Sequence, residues 1–94
     1  MTIKNKYKNP TLNEREKTYG SYQANAFLIQ HLKIIVRSDK KNWHQLSMDK
    51  RQSIDMIFTK IGRIITGNSE LKDSWEDIAG YAELISSTLE KESV

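Results

Sequence analysis

The sequence predicts an all-α protein, a bundle of three main helices behind a flexible N-terminal arm, completed by oligomerisation. Three observations carry this reading. Apolar residues recur at three- and four-residue steps in three separate stretches joined by short polar connections. The one stretch that alternates, Ile3, Asn5 and Tyr7 against Lys4, Lys6 and Lys8, has no second strand to pair with. At 94 residues and 11.0 kDa, with 37% hydrophobic and 29% charged side chains, the chain holds one small core. A chain of this size buries only about 60–65% of its unfolded surface, so subunits that cover more of it add stability.

Residues 1–20 contain the only proline and little apolar periodicity, and read as a flexible basic arm; residues 21–94 read as a single helical domain. From Tyr22 to about Arg37, Ala24, Phe27, Leu28, Leu32 and Ile35 mark one face of a first helix. Ile29, Ile34 and Val36 fall outside that stripe and predict a subunit contact. His31, at the stripe's edge, reads as a structural histidine. Residues 38–47 have the polar composition of a connection into which Trp43 and Leu46 tuck back towards the core.

The second helix runs from about Met48 to Thr66. Ser47 is its N-cap, Asp49 favours its first turn, Ile54, Ile57, Phe58, Ile61 and Ile65 mark its core face, and Gly67-Asn68 stop it. In the third helix Ser74 is the expected cap, with Asp77 completing a short capping box. Trp75, Ile78, Ala79, Ala82, Ile85 and Leu89 form its core stripe, to about Glu90. Gly62 and Gly80 sit inside helices, where glycine costs about 1 kcal/mol relative to alanine, and so predict close approach by another helix or a ligand.

Composition excludes several classes. The chain has no cysteine, hence no disulfide scaffold, thiol nucleophile or cysteine-bearing zinc site. No apolar run approaches the ~20 residues that span a bilayer, and residues 1–10 lack a signal-type stretch, so a soluble, cytoplasmic protein without membrane contact is expected. The net charge of +3 is divided: residues 1–68 carry thirteen Lys/Arg against five Asp/Glu, and residues 69–94 carry two against seven. The basic part attracts phosphate-bearing partners. The acidic part either holds a divalent cation or pairs with its basic neighbour. The acidic last helix and the lack of helix-turn-helix spacing disfavour duplex nucleic acid.

Lys60 and Arg63 lie three apart on a helix flank, close enough to grip one phosphate or to form a solvated basic face. Trp43, beside His44 in a basic connection, can stack on a base or plug the end of the core. Asp73, Glu76 and Asp77 stand at relative positions 0, 3 and 4, so their carboxylates can converge on Mg²⁺, a hard cation that takes carboxylate, phosphate and water oxygens. The same residues are also favoured at a helix N-terminus without any metal. No Ser/His/Asp arrangement, glycine-rich phosphate loop or His-rich metal motif is present.

The stretch Lys60-Ile61-Gly62-Arg63-Ile64, then Gly67-Asn68, then Asp73-Ser74-Trp75-Glu76-Asp77-Ile78-Ala79-Gly80-Tyr81-Ala82 resembles a group of small bacteriophage proteins of unknown function. Glu16-Lys17-Thr18-Tyr19-Gly20 and Asn42-Trp43 fit the same pattern. The resemblance runs from about Glu14 to Leu84, and Asp77-Ile78-Ala79-Gly80-Tyr81-Ala82 is its most specific part. More remotely, the chain is similar to the MazG-like all-α nucleoside triphosphate pyrophosphohydrolases. That group holds Mg²⁺ with a Glu-Glu-x-x-Glu helix and a Glu-x-x-Asp helix and hydrolyses between the α- and β-phosphates. Here the second helix has only Asp49 and Asp55, and a serine, Ser74, stands three before Asp77. Half of the family's metal site is missing, which removes much of the charge neutralisation hydrolysis needs.

The resemblance therefore implies a small phage-type helical protein, acting in the host cytoplasm, that binds a nucleotide, cyclic nucleotide or nucleotide-derived signal and sequesters it to counter host defence, with little or no hydrolysis. Lys60 and Arg63 would face its phosphates, and Tyr19, Trp43 or Tyr81 would stack on its base. An active Mg²⁺-dependent pyrophosphohydrolase, its metal site completed by Asp55 or another subunit, is the alternative. A modulator that binds a host protein through the apolar first helix and basic arm is a second.

Overall fold

The computed structural model describes residues 6–89. They form five helices and no strand: α1 (Pro10–Tyr19), α2 (Tyr22–Arg37), α3 (Lys40–Gln45), α4 (Met48–Thr66) and α5 (Lys72–Ser86). The all-α expectation holds, and α2, α4 and α5 are the three main helices, packed with α4 between the other two. No described helix is long and apolar enough to cross a membrane.

The expected arm is helical over Pro10–Tyr19. Periodicity could not show this, because α1 has no buried residue and is held by local chemistry instead. The Asn9 side chain accepts from the Thr11 N–H, and Pro10 supplies a preset φ at the helix start. Asn13 also accepts from the Tyr7 N–H at 2.8 Å and donates to the Tyr7 carbonyl at 2.7 Å, folding the preceding residues back on the first turn. Residues 1–5 of that arm lie outside the described residues.

Helix α2 has the expected bounds but presents a different face. Ile29 is buried, while Phe27 and Ile35, expected in the core, are exposed. Ile29 and Asn25 point at Gly62 of α4, where any β-carbon would collide with both. Gly62 is thus the point of closest approach between α2 and α4, the role its position implied.

Residues 38–47 are not purely a connection. Asp39 accepts from the Asn42 N–H and side-chain amide, which starts α3. Trp43 is buried, as expected, under the Arg37 guanidinium at 5.0 Å, and Arg37 also donates to Asp55 at 2.7 Å. One arginine therefore ties α2, α3 and α4 together.

Helix α4 matches its predicted bounds, but Ser47 caps without a side-chain bond to a helix N–H and donates to the Asp49 carboxylate instead. That hydroxyl bond holds the Asp49 carboxyl below its ordinary range. Ile65, assigned to the core face, is exposed. Helix α5 departs further. It starts at Lys72 after Leu71, so Ser74 is inside the helix, and at 2% exposure it is more deeply buried than any described hydrophobic residue. Ile78, Tyr81 and Ile85 share its half-buried side. Trp75, Ala79, Ala82 and Leu89 of the predicted stripe face solvent, and Trp75 donates its indole N–H to the Ser69 carbonyl at 2.8 Å.

The core is thin. No side chain is less than 2% exposed, and only Ile29, Trp43 and Ile64 are buried hydrophobics among the described residues. The radius of gyration is 16.6 Å, against about 12–13 Å for a compact domain of this length.

Candidate functional site

A cleft of about 640 Å³ opens between α1, α2 and α4. Its position follows from two glycines. Gly20 adopts φ 83°, a left-handed conformation that ends α1, and packs directly on the Thr66 carbonyl. Gly67 packs as closely on the Tyr19 backbone. The Asn68 N–H donates to the Thr18 carbonyl at 3.2 Å, and the Thr66 hydroxyl to the Tyr19 carbonyl at 3.4 Å. These contacts lay the C-terminal end of α1 against that of α4 and set Tyr19 over the last turns of α4.

Arg63 answers from α4, its guanidinium 4.6 Å from the centre of the Tyr19 ring; Arg15, one turn earlier on α1, stands 4.9 Å from the same ring. Lys33 of α2 adds a third cation to the lining. Among the described residues Glu16 is the one carboxylate there, and it pairs with Lys6 at 3.7 Å. Arg15, Lys33 and Arg63 make no ion pair among the described residues, so the cleft carries an uncompensated positive charge.

At the cleft's floor, Asn25 Oδ1 is buried against Gly62 without a hydrogen-bond donor, and Glu16 Oε2 faces the Lys6 ammonium at 3.7 Å. Tyr7 and Tyr22 add aromatic surface to the rim. The arrangement can bind an anion and stack a planar ring at once.

Of the residues singled out from the sequence, Tyr19 and Arg63 meet in this cleft, and the others do not. Lys60 reaches to α5, whereas Arg63 reaches to Tyr19 of α1. The Lys60 side chain is 10% exposed and its Nζ donates to Asp77 Oδ2 at 2.9 Å, joining α4 to α5. Trp43 is buried beneath Arg37. Tyr81 borders a shallow groove of about 560 Å³ on α5, together with Glu76, Asp77, Gly80 and Glu83.

The expected Mg²⁺ set is also dispersed. Asp77 is taken by Lys60, and Glu76 pairs with Lys72 at 3.3 Å, leaving Asp73 exposed. Among the described residues no three His, Asp or Glu side chains converge on one point.

Sequence reasoning missed Arg15, Lys33 and Asn25. Asn25 did leave a signal: it sits four before Ile29 and seven before Leu32, a polar residue on the side of α2 that is buried. Compared with known protein families, characterised proteins and solved structures, the chain matches none.

Proposed function

We propose that the protein binds a nucleotide or nucleotide-derived signal, cyclic forms included, in the cleft between α1, α2 and α4, and binds it without turning it over. The observation that carries this reading is the combination at one place of three uncompensated cations and the Tyr19 ring. Phosphates neutralise Arg15, Lys33 and Arg63 through charge-assisted bonds. A base stacks on Tyr19, whose face already attracts guanidinium groups.

Retention rather than hydrolysis is supported by the engagement of Glu76 and Asp77 with lysines. A phage-type protein of this kind would act by removing a host defence messenger from circulation, which requires affinity and not chemistry.

Calorimetric titration with ATP, GTP, cyclic mononucleotides and cyclic dinucleotides tests the proposal. At least one compound is expected to bind with micromolar or tighter affinity, and to lose most of that affinity in both Tyr19→Ala and Arg63→Ala. No heat from any member would end this reading. Mg²⁺-dependent release of pyrophosphate from a nucleoside triphosphate, lost in Asp77→Asn, would replace it with the hydrolase.

A further inference from the structure

Helix α2 carries apolar residues on two sides, and only one of them is covered. At 100° per residue, Leu28, Ile29 and Leu32 fall on the side turned to α4. Ala24, Phe27, His31, Ile34 and Ile35 fall within a second stripe about 100° wide, the width of a core-facing helix surface. Phe27 is 69% exposed, Ile34 66% and Ile35 68%. No charged side chain interrupts this stripe. His31 lies at its centre, its ring 4.1 Å from that of Phe27 and its Nδ1 2.7 Å from the Phe27 carbonyl oxygen.

We infer that this stripe is the contact between two copies of the chain, crossing α2 on α2 about a twofold axis near His31. Three observations select a second copy. First, Phe27 and Ile35 stand four residues to either side of His31, so a twofold axis there sets each copy's Phe27 against the other's Ile35. That is the self-complementarity an isologous contact requires. Second, the stripe has no charge with which to read an acidic or basic partner, and it brings no like charges together between chains of net charge +3. Third, Phe27, Ile34 and Ile35 alone expose on the order of 400 Å² of apolar surface, the size of the largest patch a monomer carries and one that is often functional; that is about half of the ~800 Å² per subunit in a standard interface, before the exposed Ala24 and His31 of the same stripe are added. The thin core, with no fully buried side chain among the described residues, is consistent with a fold that finishes its burial on a partner.

The other candidate face, on α5, holds Trp75, Ala79 and Ala82, but its one large side chain, Trp75, is already tethered to the Ser69 carbonyl. The cleft stands beside the α2 stripe across Gln23 and Gln30, so a second copy would flank its mouth. The inference does not depend on what the cleft binds.

The chain's lack of cysteine allows a direct test. Two full-length variants, His31→Cys and Ala79→Cys, each carry one thiol, and mild oxidation should convert most of His31→Cys to a disulfide-linked dimer while Ala79→Cys stays largely uncrosslinked. Sedimentation should find wild type as a dimer, or an even-numbered assembly, at micromolar concentration. Ile35→Asp should drop to the half-size species with its helical circular dichroism retained. A monomeric wild type would overturn the inference. So would faster crosslinking through Ala79→Cys, or an assembly unchanged by both Ile35→Asp and Phe27→Glu.

Discussion

Arg63 of α4 lies 4.6 Å above the ring of Tyr19 at the end of α1, and no carboxylate neutralises it among the described residues. An arginine that stacks on a tyrosine and pairs with no acid holds its charge ready for an anion while its plane is already oriented. The two residues are brought together by Gly20 and Gly67, not by neighbouring positions in the chain.

Replacing Arg63 by alanine should lower nucleotide affinity by roughly 10- to 100-fold, the worth of one or two charge-assisted hydrogen bonds. Arg63→Lys should recover only part of it, because lysine keeps the charge but loses the planar stack and fork. Titration calorimetry of the three proteins against one ligand decides this.

Gly20→Ala should destabilise the fold by about 2 kcal/mol or more, combining a positive φ with a collision against the Thr66 carbonyl. For a domain of this size that lowers the melting temperature by roughly 8–16 °C. Ligand affinity measured well below the transition should fall too, since Tyr19 is displaced from Arg63.

The two helix-interior glycines should respond in opposite senses. Gly62→Ala drives a β-carbon into Asn25 and Ile29 and should cost about 1–3 kcal/mol. Gly80→Ala meets nothing within 4 Å and should stabilise by about 0.5–1 kcal/mol. Denaturant unfolding of both variants reads the difference.

Asp77→Ala leaves Lys60 without its partner, and should cost about 1–2 kcal/mol, a value tempered by the 47% exposure of the Asp77 side chain. Lys60→Met should change stability by less than about 1 kcal/mol, because it removes the charge together with the need for a partner. It should leave nucleotide affinity unaltered. A tenfold loss of affinity in Lys60→Met would return Lys60 to the binding site.

Acid should loosen the start of α4. The Ser47 hydroxyl holds the Asp49 carboxyl below its ordinary value of 3.8 in the folded chain. A carboxyl depressed on folding contributes stability that is present above the unfolded value and lost as pH falls through the folded one. Asp49→Asn should therefore show a smaller drop in melting temperature between pH 5 and pH 3 than wild type.

Much of the fold is legible in the sequence because the signals are local. The period of three to four residues placed α2 at Tyr22–Arg37 and α4 at Met48–Thr66 without error, and the polar stretches between them marked the connections. What periodicity cannot state is which neighbour covers which side of a helix. In α2 two apolar stripes compete, and the larger side chains, Phe27 and Ile35, look like the core; the contact at Gly62 instead buries Ile29. In α5 the same ambiguity turned Ser74 inward and left Trp75 outside.

The candidate site divides in the same way. Sequence alone singled out Tyr19 and Arg63 by residue type, and marked Lys60, Asp73, Glu76 and Asp77 as charges with work to do. Only the tertiary structure paired Lys60 with Asp77, which spends both on joining α4 to α5, and gathered Arg15, Asn25 and Lys33 around Tyr19. Residue type is a property of one position, and the helix period extends it only to the next turn. Charge compensation and cleft lining are properties of pairs brought together by packing, decided here by where two glycines let one backbone lie against another.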